Sequence, residues 1–118
     1  MMGLALVVTH RVRPGHEQAV DALVQRTVES IRTMEPGTLV CATHASSDDP
    51  RQRIFYERYR DRAAFEAHEQ YAHVRTFLAD RVAHVESVEV QFRRLERPCL
   101  GCINSVSTAG PASSSTPA

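Results

Sequence analysis

The residues from 56 to 78, YERYRDRAAFEAHEQYAHVRTFL, gather more chemically capable side chains than any other stretch of the chain. They include His68, His73, three tyrosines and Glu57, residue types that move protons. Histidine suits the task of a base near neutrality, with an unperturbed pKa of about 6.5. On a helix, His68 shares one face with Ala64, Phe65, Tyr71 and Ala72, so it turns toward a core and away from water. Two readings are open for it: a base beside a pocket, or a core histidine bonded to a backbone carbonyl. His73 lies five positions on, roughly 140° further round an ideal helix. The two therefore cannot chelate one metal from a regular helix, where i and i+4 are needed. If the helix breaks near Tyr71, His73 reaches the mouth of the pocket; otherwise it is exposed.

Glu57 stands between Phe55 and Tyr59 on one face of a strand. A carboxylate among aromatic rings must be paired or wet, so it either orients a histidine or bridges to Arg58 or Arg60. Tyr56, Tyr59 and Tyr71 are donors for a substrate oxygen, or simply core. Phe65 and Phe77 offer apolar walls for a guest. His10 and His44 end strands, where a rim position and plain exposure are equally open. His16 and His84 read as loop or helix-start residues without a partner. Cys41 falls in a strand as inert core. Cys99 and Cys102, in PCLGC, supply only two of the four ligands zinc wants, away from a helix start that would favour a thiolate. No metal site is expected.

These groups need a scaffold, and the hydrophobic pattern supplies one. Residues 4–11 alternate weakly as a first strand, apolar on both faces. A long amphipathic helix follows, with Val20, Val24, Thr27, Ile31 and Met34 on its apolar side. Pro36 and Gly37 stop it. Residues 38–45 form a second strand, again apolar on both faces. Asp48, Asp49 and Pro50 mark a reversal, and residues 54–59 return as a hairpin partner. Asp61 is placed to cap a second helix, which continues as a short turn or helix through Val74, Phe77 and Leu78. Val88, Val90 and Phe92 alternate with Glu89, Gln91 and Arg93 as the last strand. The order strand, helix, strand, strand, helix, strand is the ferredoxin-like α+β arrangement with an antiparallel sheet. Residues 1–97 make this domain, and the small polar residues of 98–118 make a flexible tail. Two helices cover one sheet face only, so a second copy of the chain is expected on the other, giving a homodimer.

Composition narrows the function classes. The chain has 118 residues, enough for one core. Its 14 basic and 14 acidic side chains balance, so no net field favours nucleic acid or an anionic membrane. No lysine occurs, which removes Schiff-base chemistry. The opening MMGLALVVTH lacks a basic start and is too short to span a bilayer; a cytoplasmic location is expected.

The frame EPGTLVCATHASSDDPRQRIFYERYRDRAAFEAHEQYAHVRTFL resembles the antibiotic biosynthesis monooxygenase domain. The likeness rests on Pro-Gly before strand two, a Tyr-Glu-x-aromatic-x-Asp run into the second helix, and two histidines five apart. It covers about residues 4–95. It implies a dimeric α+β barrel with a pocket between helices and sheet. It also implies a cofactor-independent monooxygenase that oxidises an aromatic quinol or polyketide-type phenol with O2. In that reading His68, His73, Tyr59 and Glu57 are the catalytic group, while Tyr56, Phe65, Tyr71 and Phe77 bind the substrate. The alternatives are a non-catalytic barrel that holds a small ligand, and an isomerase using the same histidines. Haem-degrading relatives rely on Trp and Asn; this chain has no Trp, and its only Asn is Asn104.

Overall fold

The computed structural model describes residues 3–94 and Glu96. Strand β1 (Leu4–Val12) leads to helix α1 (Glu17–Met34), the hairpin β2 (Thr38–Ala45) and β3 (Gln52–Tyr59), helices α2 (Arg62–Gln70) and α3 (Ala72–Asp80), a 3-10 turn (Arg81–Ala83), and β4 (Val85–Arg94). The four strands lie in the order β2-β3-β1-β4 and every pairing is antiparallel. This is the expected ferredoxin-like α+β fold. Three strands run beyond the expected limits: β1 by Val12, β3 from Gln52 and β4 from Val85. Backbone pairing carries each strand past its alternating residues. The tail from residue 97, with Cys99 and Cys102, lies outside the described residues. Among the described residues, no helix is long and apolar enough to cross a membrane.

Even-numbered positions of β1 and odd-numbered positions of β3 face the helices, because successive side chains point to opposite sides of a strand. Leu6, Val8, Phe55 and Tyr59 thus pack with Val20, Leu23 and Val24 of α1 and with Phe65 and Phe77 of α2 and α3. Met34 departs from the expected stripe and is 53% exposed. The inward position at that end of α1 is taken by Glu35, which is buried. Asp61 caps α2 as expected, its carboxylate accepting from the Ala64 amide at 2.8 Å. Helix α2 then stops, and Tyr71 is extended at φ −66°, ψ 142° before α3 begins. Tyr71 and Ala72 therefore leave the apolar face on which a continuous helix would carry them; Ala72 is exposed.

The opposite sheet face carries Val7, Tyr56 and Ala42 side by side in register, with Val40 and Ile54 close by. All five are half-buried. Among the described residues no helix packs there, since the helices contribute their buried side chains to the other face. Arg58 lies on this uncovered face, and its Nε is buried without a hydrogen-bond partner among the described residues.

Candidate active site

The site begins with Glu35, a residue that the sequence pattern does not single out. Pro36 follows it, and the residue before a proline is driven out of the helical region; Glu35 sits at φ −120°, ψ 84° as the cap of α1. Its amide still bonds the Ile31 carbonyl at 3.0 Å, and its own carbonyl accepts from the Thr38 amide at 3.1 Å. The side chain is thereby swung inward, and the residue is only 5% exposed. Gly37 keeps this turn tight against α2: a Cβ there would stand 2.6 Å from the Ala64 Cβ.

A buried carboxylate is costly unless its oxygens are satisfied. Three side chains do so. Oε1 meets His68 Nδ1 at 2.7 Å and accepts from Thr38 Oγ1 at 2.7 Å, while Oε2 meets His73 Nε2 at 2.5 Å. An ionised carboxylate only accepts, so it fixes protons on His68 Nδ1 and His73 Nε2. Two histidines some 140° apart on a regular helix could not both reach one carboxylate; the break at Tyr71 brings them together. Neither glycine nor proline stands at that break. The hydrogen bonds to Glu35 offset the lost helical ones.

His68 is 8% exposed and lines an apolar cavity of about 230 Å³ between helices and sheet. Its Nε2 has no hydrogen-bond partner among the described residues. Leu6, Val8, Val24, Phe55, Phe65 and Phe77 form much of the wall. Glu57 also lines the cavity. It makes no bridge to Arg58 or Arg60; instead the Tyr59 hydroxyl donates to its Oε1 at 2.6 Å. Arg60 leans toward Asp61 at 3.5 Å. Tyr59 is fully buried, its ring 5.1 Å from that of His68. Burial, then the Glu57 charge, pushes its phenol well above the ordinary range, so it remains a donor.

The other candidates fall elsewhere. Tyr56 projects from the sheet face away from the helices, because it alternates with Phe55 and Glu57. Tyr71 stacks on His73 at 5.2 Å, outside the cavity wall. His10 is neither rim nor exposed: it is 1% exposed, lies 4.4 Å from the Phe55 ring, and lines the cavity. Burial first, then Arg81, lowers its pKa to about 4, against a small opposing effect of the Arg53 carbonyl. His16 and His84, expected to lack partners, meet each other at 2.9 Å through Nδ1. His44 is exposed. Cys41 is half-buried on the cavity wall, and burial and two glutamates raise its thiol to about 12. It is not a nucleophile at neutral pH. Among the described residues, no three His, Cys, Asp or Glu side chains converge on a point that a metal could occupy.

An antiparallel βαββαβ arrangement with an apolar cavity between helices and sheet defines the class, and comparison with known proteins gives its family. The profile of antibiotic biosynthesis monooxygenases matches residues 3–80. The chain belongs to that family. Among solved structures, PA3566 from Pseudomonas aeruginosa is 27% identical with a TM-score of 0.74, over 84% of this chain and 97% of its own. A Nitrosomonas europaea protein, provisionally named for the same family, is 25% identical with a TM-score of 0.70, over 76% and 95%. SO0527 from Shewanella oneidensis shares the fold at 23% identity and a TM-score of 0.75, over 80% and 91%. No curated protein sequence matches.

Proposed function

We propose that this protein is a cofactor-independent monooxygenase that oxidises an aromatic quinol or phenol with O2. The observation that carries the reading is His68, whose Nδ1 is held by buried Glu35 while the same ring lines an apolar cavity. A proton fixed on Nδ1 leaves the Nε2 lone pair as the base. An apolar cavity of roughly 150 Å³ accepts a benzene-sized guest, so 230 Å³ suits one or two fused rings.

Triplet oxygen reacts slowly with closed-shell molecules until one electron is transferred, and a phenolate is a far better donor than a phenol. His68 Nε2 removes the hydroxyl proton, and Glu35 stabilises the resulting imidazolium. The phenolate passes one electron to O2. Superoxide and the phenoxyl radical then join at a ring carbon bearing hydrogen. Loss of that ring proton and cleavage of the O–O bond release water and leave the quinone. One oxygen atom stays on the product, and the substrate supplies all four electrons. His73, on the second oxygen of Glu35 with its side chain 13% exposed, suits passage of the proton outward. Tyr59 acts as a positioning residue for Glu57, and Phe65 and Phe77 hold the ring.

A homodimer completes this reading. The apolar strip of Val7, Tyr56 and Ala42 and the Arg58 Nε, unpartnered among the described residues, lie on the sheet face that no described helix covers, where a second copy would cover them.

Oxygen uptake with a reduced naphthoquinol, compared between wild type and His68→Ala, tests the function. The expected result is uptake that depends on His68. Tight binding without uptake would make the protein a binding module, and turnover under nitrogen would make it an isomerase.

A further inference from the structure

The cavity has a second polar end. Arg81 lines it from the 3-10 turn after α3. Its guanidinium lies 5.8 Å from the Phe77 ring centroid, and its Nη1 donates to His10 Nε2 at 3.0 Å. Among the described residues, ion pairs are made by Arg11, Arg32, Arg51, Arg53, Arg60, Arg94 and the two histidines on Glu35, and none by Arg81. Burial lowers its hold on its proton, and the charge of Glu57 opposes this from a distance. His10 supplies no countercharge. Its buried ring is neutral at pH 7, and Nδ1 carries the proton because Nε2 accepts from Arg81. That Nδ1 is buried and forms no hydrogen bond among the described residues, the Arg53 carbonyl opposite exerting its pull without bonding geometry.

Arg81 is half-buried, and the part of a guanidinium turned into an apolar cavity is poorly solvated and favours an anion or strong acceptor there. A guanidinium has five N–H groups, and the single bond to His10 is the only one the Arg81 side chain makes among the described residues. His10 thus fixes the guanidinium's orientation while leaving donors for a guest. The two polar ends sit beside different positions along β1. In β1, His10 is opposite Arg53, whereas Leu6 is opposite Glu57 and Leu4 is opposite Tyr59. At about 3.3 Å per residue these backbone positions lie on the order of 13–20 Å apart, a gap that the inward side chains narrow.

We propose that Arg81, oriented by His10, binds the carboxylate of an aromatic acid whose hydroxyl is presented to His68 at the other end. The inference rests on the reading of this cavity as the substrate site and narrows the substrate to a hydroxylated one- or two-ring aromatic carboxylic acid. A guanidinium meets a carboxylate through paired, charge-assisted hydrogen bonds that a neutral ring cannot make.

Calorimetric titration under nitrogen tests this without turnover. The probes are 6-hydroxy-2-naphthoate, its methyl ester and 2-naphthol. Wild type is expected to bind the acid at least about tenfold more tightly than the ester or the naphthol. Arg81→Met should abolish that preference while 2-naphthol binding stays within about twofold, and Arg81→Lys should keep part of it. Equal binding of acid and ester by wild type would overturn the proposal, as would an undiminished preference in Arg81→Met. The ester comparison needs no variant, so it decides even if Arg81→Met fails to fold. Arg81-dependent binding of the acid, with no oxygen uptake for any aromatic hydroxy acid, would remove the oxygenase reading and leave this one standing.

Discussion

Glu35 and His68, 33 residues apart in sequence, share a 2.7 Å hydrogen bond in the interior. One residue comes from a helix cap that a proline pushes inward, the other from the buried face of α2. Replacing the carboxylate while keeping its size separates charge from packing. Glu35→Gln can accept at one oxygen only and turns an N–H toward one of the two histidines. The expected outcome is a folded protein less stable by about 1–3 kcal/mol in denaturant titration. Quinol-dependent oxygen uptake should lose at least about tenfold in kcat, with KM changed less. Uptake at the wild-type rate would take Glu35 out of the proton path.

Gly37 sets the distance between the α1 cap and α2. The 2.6 Å approach of an added Cβ to Ala64 Cβ means that Gly37→Ala must push the two apart. Overpacking of this kind destabilises by about 1–3 kcal/mol. The loss should be recovered largely in the Gly37→Ala, Ala64→Gly double variant, where the clashing atom is gone. A single variant as stable as wild type in urea would show that the turn is not tightly packed.

His10 makes the fold sensitive to acid. In the unfolded chain it takes up a proton near pH 6.5, in the folded one only near pH 4. Between these values the unfolded state binds more protons, so stability falls as pH drops through the window and is unaffected above it. His10→Gln keeps an acceptor for Arg81 but cannot titrate. Unfolding free energies at pH 7 and pH 4 should show wild type losing more than the variant, by on the order of 3 kcal/mol at most. Parallel pH curves would contradict a buried neutral imidazole.

The sheet face that no described helix covers predicts the oligomeric state. Tyr56 pairs in register with both Val7 and Ala42 at the middle of that face. Light scattering should give twice the chain mass for wild type and the single chain mass for Tyr56→Asp, with helices retained by circular dichroism. A well-folded wild-type monomer at micromolar concentration would rule out the second copy as the cover.

Much of this architecture can be read from local pattern. The stripe of Val20, Val24, Thr27 and Ile31, the Asp61 cap and the β2–β3 reversal are all short-range features, and each element lies where its residues put it. His68 was legible for the same reason, since helical spacing fixes the face it occupies. The rest depends on distant partners. Glu35 looks like a solvated residue at a helix end until His68, His73 and Thr38 close around it. Its position just before Pro36 was the one available signal, because that placement forces the side chain out of helical register. The break at Tyr71 has no glycine or proline to announce it. His10 reads as a strand end, yet Phe55, Phe77 and Arg81 enclose it from elements 45 or more residues away in sequence. Tyr56 shows the opposite failure: strand alternation alone places it on the far face from Phe55.

Chemical rescue tests the role of His68 most directly. Oxygen uptake with a reduced naphthoquinol would be followed for His68→Ala with and without free imidazole in the medium. The predicted result is uptake reduced by about 10²-fold or more and partly restored by imidazole, which can occupy the space left beside Glu35. Uptake by His68→Ala equal to that of wild type, with imidazole making no difference, would contradict a catalytic base at this position.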